Sequence, residues 1–229
     1  KKKKTLPLHN NPEISFDKIE IITRNSKKLI SLNEVNKLHV NLKTKVKKDL
    51  RLITKKKRNI KNLNFQNIPQ IMGILNITPD SFYDGKDNLT ISSHRAYLEN
   101  IKDADIIDVG CESSRPGAKE VSVQEELKRS VPTTELILKN FPETLLSIDT
   151  FRAEVAKEAI EAGACIVNDI SGGTLDPNMI PTVGKLRVPY ILMHMKGNPE
   201  TMQTKITYRN FMRELLYYFS ERIAEVNAH

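Results

Sequence analysis

IMGILNITPDSFYDG, residues 71–85, is the stretch of sequence that decides the fold. Its first seven positions are almost continuously apolar, which is typical of a strand covered on both faces. Polar side chains then replace the apolar ones. Pro79 cannot donate a hydrogen bond to a sheet, and Gly85 tolerates backbone angles that other residues avoid. The pattern predicts a buried strand that leads into an exposed loop, and such loops often bind ligands.

Similar apolar runs recur along the chain, with segments of helical spacing between them. The strand-like runs are residues 71–75, 106–109, 145–148, 166–167 and 189–193. The helix-like segments are residues 92–104, 122–140, 152–162, 176–186 and 207–228. Pro132 is expected to divide the second of these helices. Alternating strands and helices predict a parallel sheet.

The last helix-like segment has an amphipathic pattern. One stripe of this helix is expected to be apolar and consists of Phe211, Leu215, Tyr218, Ile223 and Val226.

Each strand-like run ends in side chains that can coordinate a metal or form hydrogen bonds. In chain order they are Asn76, Cys111 with Glu112, Asp149, Asn168 with Asp169, and His194. In a (β/α) barrel the carboxyl ends of the strands converge on one face, where the catalytic groups lie. Each of these residues alone also fits a helix cap, a turn or a core position, but five in series favour a site.

A doubly wound open sheet would use the same edge for its ligands, so the pattern alone does not establish a barrel. However, no GxGxxG or Walker sequence follows the first strand-like run. This counts against a doubly wound nucleotide-binding fold.

The charge of the chain is divided unevenly. The net charge is +8, but residues 1–70 contain 19 Lys and Arg against 5 Asp and Glu, whereas residues 71–229 contain 17 against 23. We expect residues 1–69 to form a basic, β-rich or partly disordered appendage or linker, with alternating runs at 19–22, 29–32 and 38–42. Residues 70–229 are expected to form the (β/α) barrel. Nucleic-acid binding is not favoured, because few aromatic side chains accompany the basic clusters.

Neither a membrane span nor a secretion signal is visible in the sequence. No apolar run approaches the ~18 residues that a span requires, and polar residues follow the four N-terminal lysines. A cytoplasmic location is therefore expected. The two cysteines, Cys111 and Cys165, lack the spacing of metal ligands, which predicts reduced structural thiols.

Several motifs in order resemble those of the dihydropteroate synthase family. MGILNITPDSFYDG resembles the first strand and loop of the family, and ESSRPGA at residues 112–118 resembles its second loop. SIDT and NDISGG, between residues 147 and 173, are similar to its third and fourth strands. LMHMKGNPETMQ at residues 192–203 is similar to its fifth. The resemblance begins at about Gln70 and reaches the last residue.

The resemblance implies a TIM-type (β/α)8 barrel and a transferase of folate biosynthesis. Members of the family join 6-hydroxymethyl-7,8-dihydropterin pyrophosphate to p-aminobenzoate, with Mg²⁺, and release dihydropteroate and pyrophosphate. Sulfonamides are the implied inhibitors, and the implied assembly is a homodimer.

The same resemblance assigns residues to the pyrophosphate and pterin sites. Asn76 matches the magnesium ligand of the family, and Arg115 matches its anion-pocket arginine, whose planar fork suits phosphate oxygens. Asp149 and Asn168 match pterin-binding positions. Met193 is expected to line the same pocket as an adaptable apolar wall.

The first two loops are expected to complete the catalytic site. Family members are thought to break the carbon–oxygen bond early, and Asp84 would oppose the resulting positive charge on the pterin. Phe82, Ser113 and Pro116 would enclose the p-aminobenzoate. A loop that both covers and assembles a site is a recognised gating device.

The sequence departs from the family pattern in three places. Lys86 replaces a second glycine of the first loop, and Cys111 replaces a common glycine. The chain also ends at His229, within the helix after the fifth strand, so only about five βα units are present. We expect a fragment of a longer chain, because a five-stranded parallel barrel cannot close.

Two other functions fit part of the pattern. One is a pterin-binding barrel of the cobalamin-dependent methyltransferase type, which would not use Arg115 in a pyrophosphate pocket. The other is an inactive or fragmentary pterin-binding module without catalytic activity.

Overall fold

The computed structural model describes residues 5–56, 59–60, 63, 69–77, 103–111, 121–199, 201–204 and 206–229. The chain divides into two compact units, Lys1–Pro69 and Gln70–His229. The expected helix at residues 92–104 lies almost entirely outside the described residues.

The first unit contains two antiparallel hairpins and one helix. Strands β1 (Leu6–Leu8) and β2 (Asn11–Phe16) form one hairpin, and β3 (Lys18–Ile22) and β4 (Lys27–Ser31) form the other. A short 3₁₀ helix, Leu32–Lys37, precedes helix α1, Val40–Thr54. Two of the three alternating runs are therefore strands.

The third run, residues 38–42, does not form a strand, and this expectation was wrong. Leu42, Val46 and Leu50 recur every four residues, so one side of α1 carries all three, and Leu38 lies just before this helix. They pack with Ile30, Val35 and neighbouring apolar side chains into a small core. The longer helical period therefore decides the structure of this segment.

The second unit is built on a parallel sheet of five strands. They lie in the order β5 (Met72–Asn76), β6 (Ile106–Gly110), β7 (Leu145–Asp149), β8 (Ile166–Asp169) and β9 (Tyr190–Leu192). The helices that follow are α2 (Val123–Asn140), α3 (Ala153–Glu161), α4 (Met179–Leu186) and α5 (Phe211–Val226). All five predicted strands are confirmed, and their ends shift by only one or two residues.

The two faces of this sheet differ in polarity. One face packs against helices, and its side chains form the main core, which includes Leu75, Ile107, Val109, Leu146, Ile148 and Val167. Alternate residues of a strand point to opposite faces, and paired residues of parallel strands share a face. The other face therefore carries the remaining positions, among them Asn76, Asp108, Ser147, Asp149 and Asn168.

Helix α2 is continuous through Pro132, so the expected break at this residue was wrong. Ser122 caps its first turn by accepting a hydrogen bond from the amide of Glu125. Side chains on both sides of the proline are buried, from Glu126 and Ser130 to Ile137. An internal proline removes one backbone hydrogen bond and clashes with the preceding turn, which together cost about 3 kcal/mol. The packing of this buried face stabilises the helix by more than that cost.

Helix α5 is shorter than expected, and two members of its predicted apolar stripe are exposed. Asn210 caps the helix at its first turn by accepting from Arg213, so the helix begins at Phe211. Phe211 and Ile223 remain 53% and 52% exposed. The helix contacts the strand ends through Tyr218, and Ile223 lies about 140° around the helix from that residue. No helix in the described part of the chain is long and apolar enough to cross a membrane.

Candidate active site

Asn76 and Asp149 end the two strands that flank β6, and Gly110 ends β6 between them. The parallel register pairs Gly110 with both residues. A Cβ atom on Gly110 would lie 3.0 Å from Oδ1 of Asn76 and 3.6 Å from Oδ2 of Asp149. Glycine therefore keeps open a space between an amide oxygen and a carboxylate oxygen at the carboxyl edge of the sheet.

Asn168 extends this group of side chains by one strand. Its Cα pairs with that of Asp149, so the two side chains lie on the same face of adjacent strands. The amide Nδ2 of Asn168 donates a hydrogen bond of 2.9 Å to Oδ2 of Asp108. Three side chains that the sequence predicts for the site, Asn76, Asp149 and Asn168, thus share one face of the sheet.

Asp108 and Ser147 are two further polar residues of this face that the sequence analysis missed. They pair with each other in the register, two positions before the ends of their strands. Asp108 is 4% exposed and Ser147 is fully buried. Both stand within otherwise apolar runs, IIDVG and LLSID, where a polar residue at a core position was the available signal.

Burial raises the pKa of Asp108 above its ordinary value of 3.8. The Ser147 hydroxyl and the Asn168 amide both oppose this rise. Only the Asn168 amide forms a well-aligned hydrogen bond, because the Ser147 Oγ and the Asp108 Oδ1 have no partner among the described residues.

The raised pKa of Asp108 predicts a pH-dependent stability. Between 3.8 and the raised pKa, the folded chain binds the proton of Asp108 more tightly than the unfolded chain does. The free energy of unfolding of the wild type should therefore fall relative to that of Asp108→Asn as the pH rises above 4, and the difference should become constant above the raised pKa. Urea unfolding of both proteins at a series of pH values measures this difference. A difference that does not vary with pH would contradict the prediction.

Asp169 and His194 also lie at strand ends, but the contacts of their side chains stabilise the fold. The Asp169 carboxylate is fully buried and accepts hydrogen bonds from the amides of Ser171 and Gly173 and from the Tyr190 hydroxyl. The His194 ring packs edge-on against Tyr218, with 4.6 Å between ring centroids. Asp169 therefore shapes the loop after β8, and His194 belongs to an aromatic cluster.

Met193 lies one residue beyond β9, and both its backbone amide and its backbone carbonyl form hydrogen bonds. Its amide donates to the carbonyl of Asp169, and its carbonyl accepts from the Tyr218 hydroxyl. The same hydroxyl contacts the carbonyl of Ser171 at 3.2 Å. Tyr218 of α5 thus joins the chain segments that follow β8 and β9.

The loops expected to complete the site lie outside the described residues. They contain Phe82, Asp84, Lys86, Glu112, Ser113, Arg115 and Pro116. The structure does describe the two residues that flank the second loop, Cys111 and Val121.

A buried ion pair fixes the end of the second loop. The Arg152 guanidinium donates to the Glu126 carboxylate and also to the carbonyl of Val121, the latter at 2.7 Å. Side-chain exposures are 10% for Arg152 and 1% for Glu126. The chain between β6 and α2 therefore ends at a firmly held point beside α3.

Cys111 is fully buried and belongs to the main core. Burial raises the pKa of its thiol to about 12, and the nearby carboxylates of Glu126 and Asp149 add to the effect. Both cysteines are buried and free of disulfides, as expected for structural thiols.

The described residues contain no group of three or more His, Cys, Asp or Glu side chains that could hold a metal ion. An amide oxygen beside the open space at Gly110 is nevertheless a suitable hard ligand for Mg²⁺. Mg²⁺ needs few protein ligands when waters and substrate phosphates supply the others. The amide oxygen of Asn76 is therefore suited to supply one protein ligand of a magnesium ion.

Residues 72–229 match the sequence pattern of a family described as pterin binding enzyme, and the chain belongs to that family. It is 44% identical over 155 residues to the dihydropteroate synthase of Synechocystis sp., covering 67% of this chain and 53% of that protein. The chain spans about half the length of the curated single-function relatives that it matches.

Two solved structures show the same architecture. One is the Yersinia pestis dihydropteroate synthase with a sulfonamide drug complex, at 39% identity and a TM-score of 0.61, covering 70% of this chain and 58% of that one. The other is the Xanthomonas albilineans dihydropteroate synthase with 4-aminobenzoic acid, at 38% identity and a TM-score of 0.59, covering 69% and 55%. The parallel sheet and its helices are therefore part of a (β/α)8 barrel.

Proposed function

We propose that this chain is part of a dihydropteroate synthase. The whole protein would join 6-hydroxymethyl-7,8-dihydropterin pyrophosphate to p-aminobenzoate. The observation that carries the proposal is the convergence of Asn76, Asp149 and Asn168 on one face of the sheet, with Asn76 and Asp149 beside the space at Gly110. Similarity to dihydropteroate synthases, one of them solved with 4-aminobenzoic acid, supports the same reaction.

In this proposal Asp149 and Asn168 bind the pterin. The pterin ring presents an edge of N–H donors, which a carboxylate and an amide oxygen on adjacent strands accept in parallel. Both residues are half-buried, so their hydrogen bonds are less exposed to competition from water. Met193, at the end of the next strand, lines the pocket.

Asn76 and Arg115 act on the pyrophosphate. The bond from the pterin methylene carbon to oxygen breaks, and pyrophosphate leaves with the electron pair. Arg115 donates hydrogen bonds to the oxygens on which charge develops. When bound, Mg²⁺ neutralises part of this charge. Asn76 would hold that ion.

The first and second loops position the aromatic amine. Its nitrogen forms the new bond to the methylene carbon and then loses a proton to water, and no strong base is needed because the aniline is already neutral. Phe82, Ser113 and Pro116 hold its ring, while Asp84 stabilises the positive pterin centre. Orientation is therefore the main contribution of these residues.

Product formation tests this function directly. The full-length protein, of which this chain is a part, is incubated with the pterin pyrophosphate, p-aminobenzoate and Mg²⁺, and dihydropteroate and pyrophosphate are measured. Formation of both excludes a pterin-dependent methyltransferase and a non-catalytic module. Pterin binding without either product would contradict the proposed reaction.

The variant Arg115→Ala should lose far more activity than stability. Removing one donor to a developing oxyanion costs about 10²–10³-fold in kcat. Steady-state kinetics give the loss of turnover, and thermal unfolding gives the change in stability. Unchanged turnover would contradict the placement of Arg115 in the anion pocket.

The variant Gly110→Ala should reduce activity at least tenfold with little loss of secondary structure. Its new methyl group would lie 3.0 Å from Oδ1 of Asn76, so that side chain must move. A shift of about 1 Å at a catalytic group can cost roughly 10²-fold in rate. Kinetics at increasing Mg²⁺ concentrations test the cause, because a displaced Asn76 raises the Mg²⁺ requirement. A wild-type Mg²⁺ dependence would contradict this explanation.

The homodimer, the cytoplasmic location and sulfonamide inhibition remain predictions for this chain. The Yersinia pestis relative solved with a sulfonamide drug complex supports the last of these.

A further inference from the structure

The amide of Asn168 is held from within the sheet by a buried carboxylate. Its Nδ2 atom donates to Oδ2 of Asp108 at 2.9 Å, although the two residues are 60 positions apart in the chain. Asp108 lies in the middle of β6 and is 4% exposed, so water does not compete strongly for this hydrogen bond. Because this hydrogen bond is buried and well aligned, it favours one orientation of the Asn168 amide.

The contact determines which end of the amide is available to a ligand. The NH₂ group of Asn168 donates to Oδ2 of Asp108 and is therefore directed towards that residue. Its carbonyl oxygen Oδ1 then remains as an acceptor. Asp149, the partner of Asn168 in the register, is also an acceptor on the same face. Two acceptors therefore stand on adjacent strands.

We infer that Asp108 is a positioning residue that holds the Asn168 carbonyl oxygen towards the N–H edge of the pterin. The inference rests on the proposed pterin site and adds a determinant of its specificity. A flipped Asn168 amide would place N–H donors opposite the N–H donors of the ligand, and neither group would then find a partner. Asp108 itself does not need to contact the substrate.

Few other groups in the described part of the chain form hydrogen bonds with the Asp108 carboxylate. Its neighbours in the register are Ile74 on β5 and Ser147 on β7. Among the described residues, the second carboxylate oxygen of Asp108 has no hydrogen-bond partner, and neither does the Ser147 hydroxyl. The Asn168 amide therefore supplies the one well-aligned hydrogen bond to this buried carboxylate among the described residues, which favours one orientation of that amide.

The test uses the full-length protein and 6-hydroxymethylpterin as the probe, with affinity measured by titration calorimetry. Asp108→Asn keeps the size of the side chain but can face Asn168 with either its oxygen or its nitrogen. We expect about tenfold weaker pterin binding, because a mispaired buried hydrogen bond costs roughly this factor. The KM for the pterin substrate should rise by a similar factor, with little change in the KM for p-aminobenzoate.

A double-mutant cycle separates positioning from a general loss of structure. If Asp108 acts through Asn168, then adding Asp108→Asn to Asn168→Ala should weaken pterin binding no further. Asp108→Ala should behave like Asp108→Asn in the same cycle and provides a second variant if one of them does not fold. Val109→Ala, which alters the adjacent residue on the helix-facing side of β6, controls for stability loss without a change in the site.

The outcomes distinguish this inference from the proposed function. Wild-type pterin affinity in a folded Asp108→Asn protein, or an undiminished effect of that change in the Asn168→Ala background, would overturn the inference alone. Failure of the wild type to bind the pterin would overturn it as well. Coupled losses of pterin affinity without dihydropteroate formation would support the positioning role and contradict only the reaction.

Discussion

Replacing Asp149 with asparagine should lower kcat/KM for the pterin substrate by about 10²–10³-fold. A hydrogen bond to a charged acceptor contributes roughly 1.5–3 kcal/mol, and an amide NH₂ turned towards the N–H edge of the pterin would add a mispaired donor. Asparagine has the same size as aspartate, so the space at Gly110 is kept. Because Asp149 is half-buried and ends its strand, we expect only a small change in the stability of the fold.

Steady-state kinetics with each substrate varied in turn measure this effect. The loss should appear mainly with the pterin substrate, since p-aminobenzoate binds elsewhere in the proposed site. Glu143→Gln is the matched control, because it removes the same charge at an exposed position before the start of β7. A loss confined to p-aminobenzoate would show that Asp149 does not bind the pterin.

Replacing Arg152 with alanine should lower the free energy of unfolding by about 3–5 kcal/mol. The change removes the cation that compensates the Glu126 carboxylate, which is 1% exposed and cannot recover its hydration. It also removes the hydrogen bond to the carbonyl of Val121. Urea unfolding of the full-length protein gives the change.

Two further variants separate the ion pair from simple packing. Arg152→Met combined with Glu126→Leu should recover much of the stability, because a buried pair replaced by apolar side chains no longer carries an uncompensated charge. Lys157→Ala, at an exposed pair with Glu158, should change stability by less than about 1 kcal/mol. A double variant as unstable as Arg152→Ala would refute the electrostatic explanation.

The sequence predicts the sheet well because short apolar runs and strand-end polar residues are local signals. Asn76, Asp149 and Asn168 follow such runs, and the structure places all three on one face. Asp108 and Ser147 could not be assigned in this way. Whether a polar residue inside a strand faces a site or the core depends on the register with neighbouring strands, which the sequence does not display.

The errors have a common cause in packing between distant residues. Helix α2 continues through Pro132 because its buried face extends on both sides of the proline. Ile223 fits an apolar stripe by spacing, but the side of α5 that is buried is set by the contact of Tyr218 with the chain after β8 and β9. Local propensity is overridden in both cases by tertiary contacts.

The strand order of the sheet has a consequence for how the protein forms. From β5 to β9, strands that are consecutive in the chain are neighbours in the sheet. A nascent chain that emerges from the ribosome can therefore add each βα unit to an edge that already exists, without waiting for a distant segment. Such sequential pairing closes shorter loops than pairing between strands that are distant in sequence would, which favours stepwise folding during synthesis.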